Sequence, residues 1–414
     1  MRISTTMQFT SSLKYIQNAN SKVDENAQKY NTGEKFQTAG EDPSGMASKV
    51  KYEGAISAYT QFNKDGGLAN NTLSEEETAL ASMWDALSSI HSRLIQCVDG
   101  SNDQNSLDAL AAEMEQMRDH LYNLMNTQNT EGEYIFSGAR SDVPTFTLTS
   151  DGHYTCQADG SVREVLVAPG VTVQVSDSGL DIFENCKLSN SMTVTGTPAI
   201  TSAVISNYGD FDDLYQTYYS SSIGPTVNNN LRVEVLADGT FSLVKDRLDA
   251  AGNVTGQDVI ETGEVDKMNS TINVKGMEFY LPSSNYTGNI KVQLDAPKTD
   301  NILNVLTKLV DDIQDETLTK TEKCARIAAG QKDVSIAMTR YDSYRGQIGA
   351  RQNTINTVMT SNTSLSDIKT ESKANVSEMD AFEAASNLVQ SQNQLTVSRQ
   401  IYSMLQKQSL FDYI

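Results

Sequence analysis

The sequence predicts an α+β protein in which long N- and C-terminal helices pair in a coiled-coil bundle, with an inserted antiparallel β-rich domain. Six of the seven prolines lie between Pro144 and Pro297, and only Pro43 lies outside this stretch. Proline inside a helix removes a backbone donor and clashes with the preceding turn, so both flanks can form long helices. The flanks also carry apolar residues at seven-residue spacing, which is typical of helices that wrap around one another.

These observations divide the chain into three parts. Terminal helical assembly segments are expected at 1–40 and 375–414, and a helical bundle domain at 41–143 and 298–374. The β-rich outer domain is expected at 144–297. A bundle built from both ends of a chain indicates a structural subunit rather than an enzyme.

Charge and composition exclude several classes of partner. The chain has 32 basic and 53 acidic side chains and a formal net charge of −21, so nucleic acid is not an expected partner. No apolar run is long enough to cross a bilayer, so membrane insertion is not expected. The N-terminus lacks the apolar core of a cleavable secretory peptide, and any export is expected to use another route. The four cysteines lack metal-ligand spacing and are expected to be reduced, buried thiols.

The first helix of the N-terminal arm alternates three- and four-residue apolar spacing and ends at Thr32-Gly33, where Gly33 suits a left-handed C-cap. The loop that ends at Pro43 should start the second helix. The spaced positions of the first helix, with one polar exception, are Leu13, Ile16, Asn20, Val23, Ala27 and Tyr30.

The second and third helices carry the strongest repeat of this arm. The second register starts at Tyr52 and Tyr59 and continues past Gly66-Gly67. The short connection 99–101 predicts that the third helix is its antiparallel neighbour. The repeat positions of the second helix are Leu73, Leu80, Leu87 and Leu94, with Met83, Ile90 and Cys97 between or after them. Those of the third helix are Leu107, Leu110, Met114, Met117, Leu121 and Leu124.

The C-terminal arm repeats this pattern, so the simplest arrangement packs both arms into one bundle. It opens with Ile302, Val305, Leu309 and Ile313. Its seven-residue row then runs through Ile327, Val334, Tyr341, Ile348 and Ile355, with Met338, Tyr344 and Val358 in the alternate row.

The last segment, 378–414, is polar but almost uncharged, and the first 30 residues share this character. Isolated helices are marginal in water, so such segments need a packing partner. Two interpretations stay open: an ordinary helix pair within a monomer, or a pair that becomes ordered on neighbouring subunits and is mobile in the free monomer. The uncharged aromatic ending favours assembly. The expected interface residues are Leu13, Ile16, Val23, Leu395, Ile401, Tyr402, Leu405, Leu410, Phe411, Tyr413 and Ile414.

The central insert has the turn signals of an antiparallel β domain. Asp151-Gly152 and Asp238-Gly239 each lie between alternating apolar runs, which is a strong hairpin signal. The Ser/Thr/Gly/Asn-rich stretch 187–230 is expected to be its least regular part. Its three acidic residues lack the spacing of a calcium loop and are expected in a solvated loop. They are Asp210, Asp212 and Asp213. Strands are also expected at 163–167, 171–175, 279–281 and 290–294, with Pro169-Gly170 as a turn.

No motif for catalysis or cofactor binding is present. The three histidines are scattered, and the sequence contains no HExxH, no GxxxxGK[ST], no GxSxG and no strand-linked GxGxxG. We therefore expect no catalytic residue, no cofactor and no metal.

Several short stretches resemble those of the bacterial flagellin-like axial proteins. Met1–Thr5 (MRIST) looks like their opening. Thr32-Gly33, followed by Gly40–Gly45 (GEDPSG), resembles their TG…DDPAG loop, with Glu41 in place of the first Asp.

Two further stretches favour one branch of this family, the hook–filament junction proteins, also called third hook-associated proteins. Gly132–Gly138 (GEYIFSG), followed by Pro144 and Phe146, is typical of the end of their N-terminal helices. Leu410–Ile414 (LFDYI) resembles their C-terminal ending. The resemblance covers about 1–185 and 300–414, and the extension 187–295 has no counterpart in it.

The resemblance implies a structural adaptor of the bacterial flagellum outside the cell. Such a protein is exported unfolded through the flagellar type III apparatus, escorted by a chaperone that holds the C-terminal helix. It forms a ring of identical copies between a neighbouring hook-associated protein and flagellin. Two alternatives stay open: flagellin itself, and an adhesin-like binding module carried on a helical stalk.

Overall fold

A computed structural model describes residues 5–98, 102–222, 224 and 227–411, with side chains except those of 5, 6 and 405–411. Long helices precede and follow a β-rich stretch of the sequence, as predicted. The helices are α1 (Thr5–Thr32), α2 (Pro43–Cys97), α3 (Gln104–Met125), α4 (Tyr208–Tyr218), α5 (Ile302–Gln314), α6 (Lys320–Ser377) and α7 (Ala381–Phe411).

The strands form four sheets, and every pairing with a described register is antiparallel. Two are hairpins, β1 with β2 and β3 with β4, one has the order β10-β11-β6, and the largest has the order β5-β12-β7-β8-β9. The strands are β1 (Phe146–Leu148), β2 (Tyr154–Cys156), β3 (Glu164–Ala168), β4 (Val171–Gln174), β5 (Met192–Thr197), β6 (Ser202–Ile205), β7 (Asn230–Val235), β8 (Thr240–Leu248), β9 (Val254–Glu264), β10 (Thr271–Val274), β11 (Met277–Tyr280) and β12 (Gly288–Leu294).

The chain divides into two compact units. The first combines the residues up to Gly67, the hairpin tip Leu166–Val171 and the residues from Ile355 onward. The second combines Leu68–Val165 with Thr172–Thr354. The division predicted from the sequence, with a separate pair of terminal segments, stays a prediction.

In the first unit, the turn between α1 and α2 follows from its local sequence. Gly33 has a φ of +70°, a left-handed conformation that glycine adopts without a Cβ clash, and its N–H donates to the Lys29 carbonyl at 2.8 Å. The Asp42 carboxylate then accepts the N–H groups of Ser44 and Gly45 at 3.1 and 2.9 Å. This caps α2, which begins at Pro43 as predicted.

The second unit contains the predicted bundle. The four leucines of α2 spaced by sevens are fully buried, as are Val334 and Ile348 of α6. The side chains of Arg93 and Glu113 join α2 to α3 across 2.8 Å. The seven-residue pattern therefore identified the bundle core correctly.

Aromatic side chains also pack against one another in the second unit. Phe183 lies in a π-helical turn and meets Phe136 and Tyr341 edge-to-face, with centroids 5.1 and 5.4 Å apart. Ser137 is buried beside Phe136 and donates to the Val143 carbonyl at 2.7 Å. The stretch Gly132–Gly138 thus has a packing role at the end of the N-terminal helices.

The inserted domain has its own core, and two predictions about it are wrong. The stretch 187–230 is not irregular, because it contains β5, β6 and α4. Asp210, Asp212 and Asp213 lie on α4 rather than in a solvated loop, and Asp212 pairs with Lys332 at 2.9 Å. Composition misled here, because Asn207 caps α4 through the Gly209 N–H, and packing of Phe211 and Leu214 stabilises the helix.

Both predicted Asp-Gly hairpins are present, as β1–β2 and β7–β8. The four other predicted strands also form, with ends shifted by one or two residues. Four strands, β5, β6, β9 and β10, were not predicted.

Candidate assembly surface

The pairing of α1 with α7 builds this surface within the first unit. The helices are antiparallel, because Phe9 contacts Tyr402 while Asn26 donates to the carbonyl of Asn387 at 3.3 Å. We call the line of buried and half-buried side chains between them the terminal seam. On α1 it contains Ile16, Asn20, Val23 and Ala27. On α7 it contains Ala384, Leu388, Ser391, Leu395, Ser398 and Tyr402.

The spacing of the α7 positions is four, three, four, three and four residues, which keeps one narrow stripe facing α1. Half of these positions are Ala or Ser, so the stripe buries little apolar area. Because burial of apolar surface is the main stabilising term, the helix pair gains only modest stability from this contact.

A second face of the pair is exposed, and its lining combines seven apolar with eight polar residues. It forms a groove of about 1140 Å³ between α1 and α7. Phe382 is 85% exposed and Tyr15 is 68% exposed, although both are large apolar side chains. We call this face the terminal groove, and its apolar lining is Tyr15, Ala19, Phe382, Ala385, Val389, Val397 and Ile401.

The groove has almost no charge. Lys22 is the one charged side chain in its described lining. Between Ala381 and Met404, helix α7 has only two charged residues, Glu383 and Arg399, and Arg399 donates to Asn20 at 3.2 Å. Contiguous exposed apolar surface with few charges is characteristic of protein interfaces.

The structure separates the residues that the sequence predicted for assembly. Ile16, Val23, Leu395 and Tyr402 lie in the terminal seam, where α1 and α7 cover one another. Leu13 is 41% exposed, and Ile401 is 47% exposed in the groove. The side chains of Leu405, Leu410 and Phe411, at the end of α7, and all of Tyr413 and Ile414 lie outside the described part of the structure. The assembly role of all eleven stays a prediction.

Sequence reasoning did not assign the most exposed groove residues to the interface. The missed positions are Tyr15, Phe382, Val389 and Val397. A signal was present, because Phe382 and Val389 are seven residues apart, one position off the stripe that faces α1. Two apolar lines on one helix indicate two packing partners.

No group of three or more His, Cys, Asp or Glu side chains in the described part of the chain could hold a metal ion. No described helix combines the length and apolarity needed to cross a membrane.

The chain is similar to proteins of the bacterial flagellum. Residues 3–141 match the bacterial flagellin N-terminal helical region, so the chain carries this region. It is also 24% identical over 198 residues to flagellar hook-associated protein 3 of Salmonella typhimurium, covering 48% of this chain and 60% of that protein. A flagellin of Salmonella rubislaw is 24% identical over 239 residues, covering 52% and 46% of the two chains.

A solved structure extends the match. Flagellar hook-associated protein 3 of Legionella pneumophila has a TM-score of 0.58 and 18% identity, covering 79% of this chain and 98% of that one. This likeness confirms the predicted fold class. The chain spans less than two thirds of the length of the curated relatives that it matches. The resemblance stated from the sequence is confirmed: this chain is similar to flagellar hook-associated protein 3 over about half of its length.

Proposed function

We propose that this chain is a structural adaptor subunit of the bacterial flagellum that joins hook to filament, without a catalytic role or a cofactor. Its copies would form a ring, with a neighbouring hook-associated protein on one side and flagellin on the other. The observation that carries this proposal is the exposed groove between α1 and α7, which has a single charged side chain and which a helix from a neighbouring subunit would cover.

The same helices fit the expected route to the flagellum. A seam with many Ala and Ser side chains gives a helix pair of low stability, which can unfold for type III export and form again on assembly. An export chaperone would hold α7 in the cytoplasm. The mature location would be extracellular, at the hook–filament junction, without a cleavable signal peptide.

The test replaces groove residues and leaves the seam intact. Because Val389 and Val397 are 55% and 52% exposed, the double variant V389S/V397S should unfold within about 0.5 kcal/mol of the unsubstituted monomer. It should nevertheless fail to enter purified hook–filament fractions. Val254→Ser is the matched control, because Val254 is 58% exposed but lies on the inserted domain. Normal incorporation of V389S/V397S would contradict the proposal.

A second variant tests the C-terminal residues. Replacing Leu405, Leu410 and Phe411 together with Ser should abolish assembly while the bundle around Leu80–Leu94 stays folded. Bundle folding is measured by far-ultraviolet circular dichroism and assembly by pelleting with hook–filament fractions. Normal assembly would show that these residues do not contribute to the interface.

Flagellin is the nearest alternative, since one relative bears that name. Immunogold labelling distinguishes the two functions: a junction protein labels one band next to the hook, and a flagellin labels the whole filament. An adhesin-like function predicts that the isolated 145–297 fragment binds surface glycans, and a glycan array tests this directly.

A further inference from the structure

A cluster of charged side chains is buried in the second unit. Residues Ser176–Ser178 follow β4 and are each at most 3% exposed. Within this segment Asp177 contacts two long helices, because it bonds to Glu76 of α2 and to Arg351 of α6. The segment therefore connects β4 to the bundle through one acidic residue.

The cluster contains two carboxyl groups for one guanidinium. Arg351 binds Asp177 with both terminal nitrogens, at 2.7 and 2.9 Å, and Gln174 adds a third bond to the same carboxylate at 2.8 Å. Glu76 is only 2% exposed, and its Oε1 accepts the Asp177 N–H at 3.1 Å. Its Oε2 is buried and has no hydrogen-bond partner among the described residues.

The other charged groups near the cluster already have partners. Arg163, which directly precedes β3, pairs with Glu133 at 3.3 Å. On α2 and α6, Glu77 pairs with Arg345 at 3.0 Å. Tyr344 of α6 also lies near Asp177. Burial raises the pKa of its phenol group, so Tyr344 is uncharged at neutral pH. Arg163 acts on Glu76 as a second positive charge, but it shares that charge with Glu133.

This environment favours the neutral form of Glu76. Burial raises the pKa of its carboxyl group to about 9, and the adjacent Asp177 carboxylate acts in the same direction. The Asp177 N–H, Arg351 and Arg163 oppose the shift but do not cancel it. At neutral pH the proton resides on Glu76, and Oε2 is the oxygen free to carry it because Oε1 accepts a hydrogen bond.

We propose that Glu76, Asp177 and Arg351 form a proton-operated latch, in which neutral Glu76 holds Ser176–Ser178 against α2 and α6. Loss of this proton places two buried carboxylates beside one guanidinium. The segment then separates from α2, so that water can reach Glu76. The latch is independent of the proposed assembly function, because it involves none of the groove residues.

The direction of the pH effect follows from linkage. When Ser176–Ser178 has separated from α2, Glu76 is solvated and its pKa is near the ordinary value of 4.5. When the segment is closed against α2, the pKa of Glu76 is about 9. The closed state therefore has its full stability below about pH 4.5 and loses it as the pH rises to about 9. Within this window the ratio of closed to open forms falls by up to about tenfold for each pH unit.

Hydrogen exchange on the full-length protein tests the latch. Protection of the Asp177 amide, corrected for the intrinsic effect of pH, should fall by about tenfold to a hundredfold between pH 6 and pH 8. In Glu76→Gln, which keeps the size of the side chain but cannot ionise, protection should not depend on pH. Glu77→Gln is the matched control, because Glu77 is adjacent and paired, and it should keep the full pH dependence.

Either of two results would overturn the latch. One is protection in the unsubstituted protein that stays constant between pH 6 and pH 8. The other is an equal pH dependence in Glu76→Gln. If Glu76→Gln does not fold, the ionisation of Glu76 can be followed in the unsubstituted protein by the NMR chemical shift of its carboxyl carbon. A Glu76 signal that titrates near pH 4.5 would contradict the proposal.

Discussion

Phe9 and Tyr402 lie 393 positions apart in the sequence, yet their ring centroids are 4.9 Å apart with the planes inclined by 54°. This tilted geometry is favourable for aromatic rings, whose edges and faces carry opposite partial charge. The contact joins the first turns of α1 to the last described side chains of α7. It therefore fixes the register of the antiparallel terminal pair.

Tyr402→Ala should loosen this end of the pair. An aromatic contact is worth about 0.5–1.5 kcal/mol beyond its buried area, so amide protection in the first turns of α1 should fall by about tenfold. Hydrogen exchange on the monomer measures this, and the second unit should be unaffected.

Phe382→Ala is the matched control for that variant. Phe382 is 85% exposed in the groove, so its removal should leave protection in the monomer unchanged. An equal loss of protection in both variants would mean that the terminal seam does not hold the helices together.

Seven-residue spacing revealed the seams but not the groove. Leucines such as Leu80 and Leu87 are large and recur every seven residues. A single row of them therefore identifies the one face of α2 that packs against a partner helix. Helix α7 differs from α2. Small residues such as Ala384 and Ser391 face α1 in its seam, whereas the large apolar residues Phe382 and Val389 lie outside the seam. A pattern of large apolar residues alone does not reveal which line is covered.

Long-range packing explains most of the other differences. In the stretch 187–230, the Tyr215 hydroxyl donates to the Asp295 carbonyl, 80 positions away, and local composition cannot anticipate this bond. Glu76 looks like an ordinary polar position of a heptad helix. Only the fold brings Asp177 and Arg351 to it, from residues 101 and 275 positions further along the chain.

Adjacent glycines in α2 should respond oppositely to alanine. A Cβ at Gly66 would lie 3.0 Å from Cγ of Met359, whereas a Cβ at Gly67 would have no neighbour within 4 Å. Gly67→Ala should therefore raise the free energy of unfolding by about 0.5–1 kcal/mol, because alanine loses less entropy in a helix. In Gly66→Ala crowding against Met359 should offset that gain by about 1–3 kcal/mol.

Urea denaturation of both variants measures the difference. Met359→Ala in the Gly66→Ala background should restore part of the gain by making room for the new methyl group. Equal stabilisation by the two single substitutions would show that α6 does not pack closely against Gly66.

The thiols should react slowly in the folded protein. All four cysteines are free, with Cys97 and Cys186 buried and the other two half-buried, so the expectation of four buried thiols is right for two. Burial raises the pKa of the Cys97 and Cys156 thiols to about 11. At pH 8 their thiolate fraction is about a hundredfold lower than that of an ordinary thiol, and the thiolate is the reactive form.

Alkylation with iodoacetamide, mapped by mass spectrometry, measures these rates. Labelling of Cys97 and Cys156 at pH 8 should be about a hundredfold slower in the folded protein than in urea. Val254→Cys supplies an exposed thiol on β9 as the control, which should react equally fast in both conditions. Equal rates for Cys97 in the two conditions would contradict its burial in the bundle.

The part of the inserted domain from 190 to 297 should be removable without unfolding the bundle. The chain enters and leaves it through neighbouring segments, because the Leu188 N–H donates to the Lys298 carbonyl at 2.9 Å and the Asp300 N–H donates to that of Cys186 at 3.1 Å. The eighteen buried hydrophobic residues of its core all lie between Phe211 and Leu294. Bundle residues contribute none of them.

A variant with 190–297 replaced by a short Gly-Ser linker should therefore unfold in one cooperative helical transition. It loses the partly exposed ion pair of Asp212 with Lys332, worth at most about 1 kcal/mol, and the side-chain hydrogen bond between Tyr280 and Thr321 of α6. The excised fragment 189–297 should fold alone, with β-type circular dichroism and a thermal transition of its own. If the linker variant aggregates while the fragment stays unstructured, bundle and insert share one folding unit, because each then needs the other to fold.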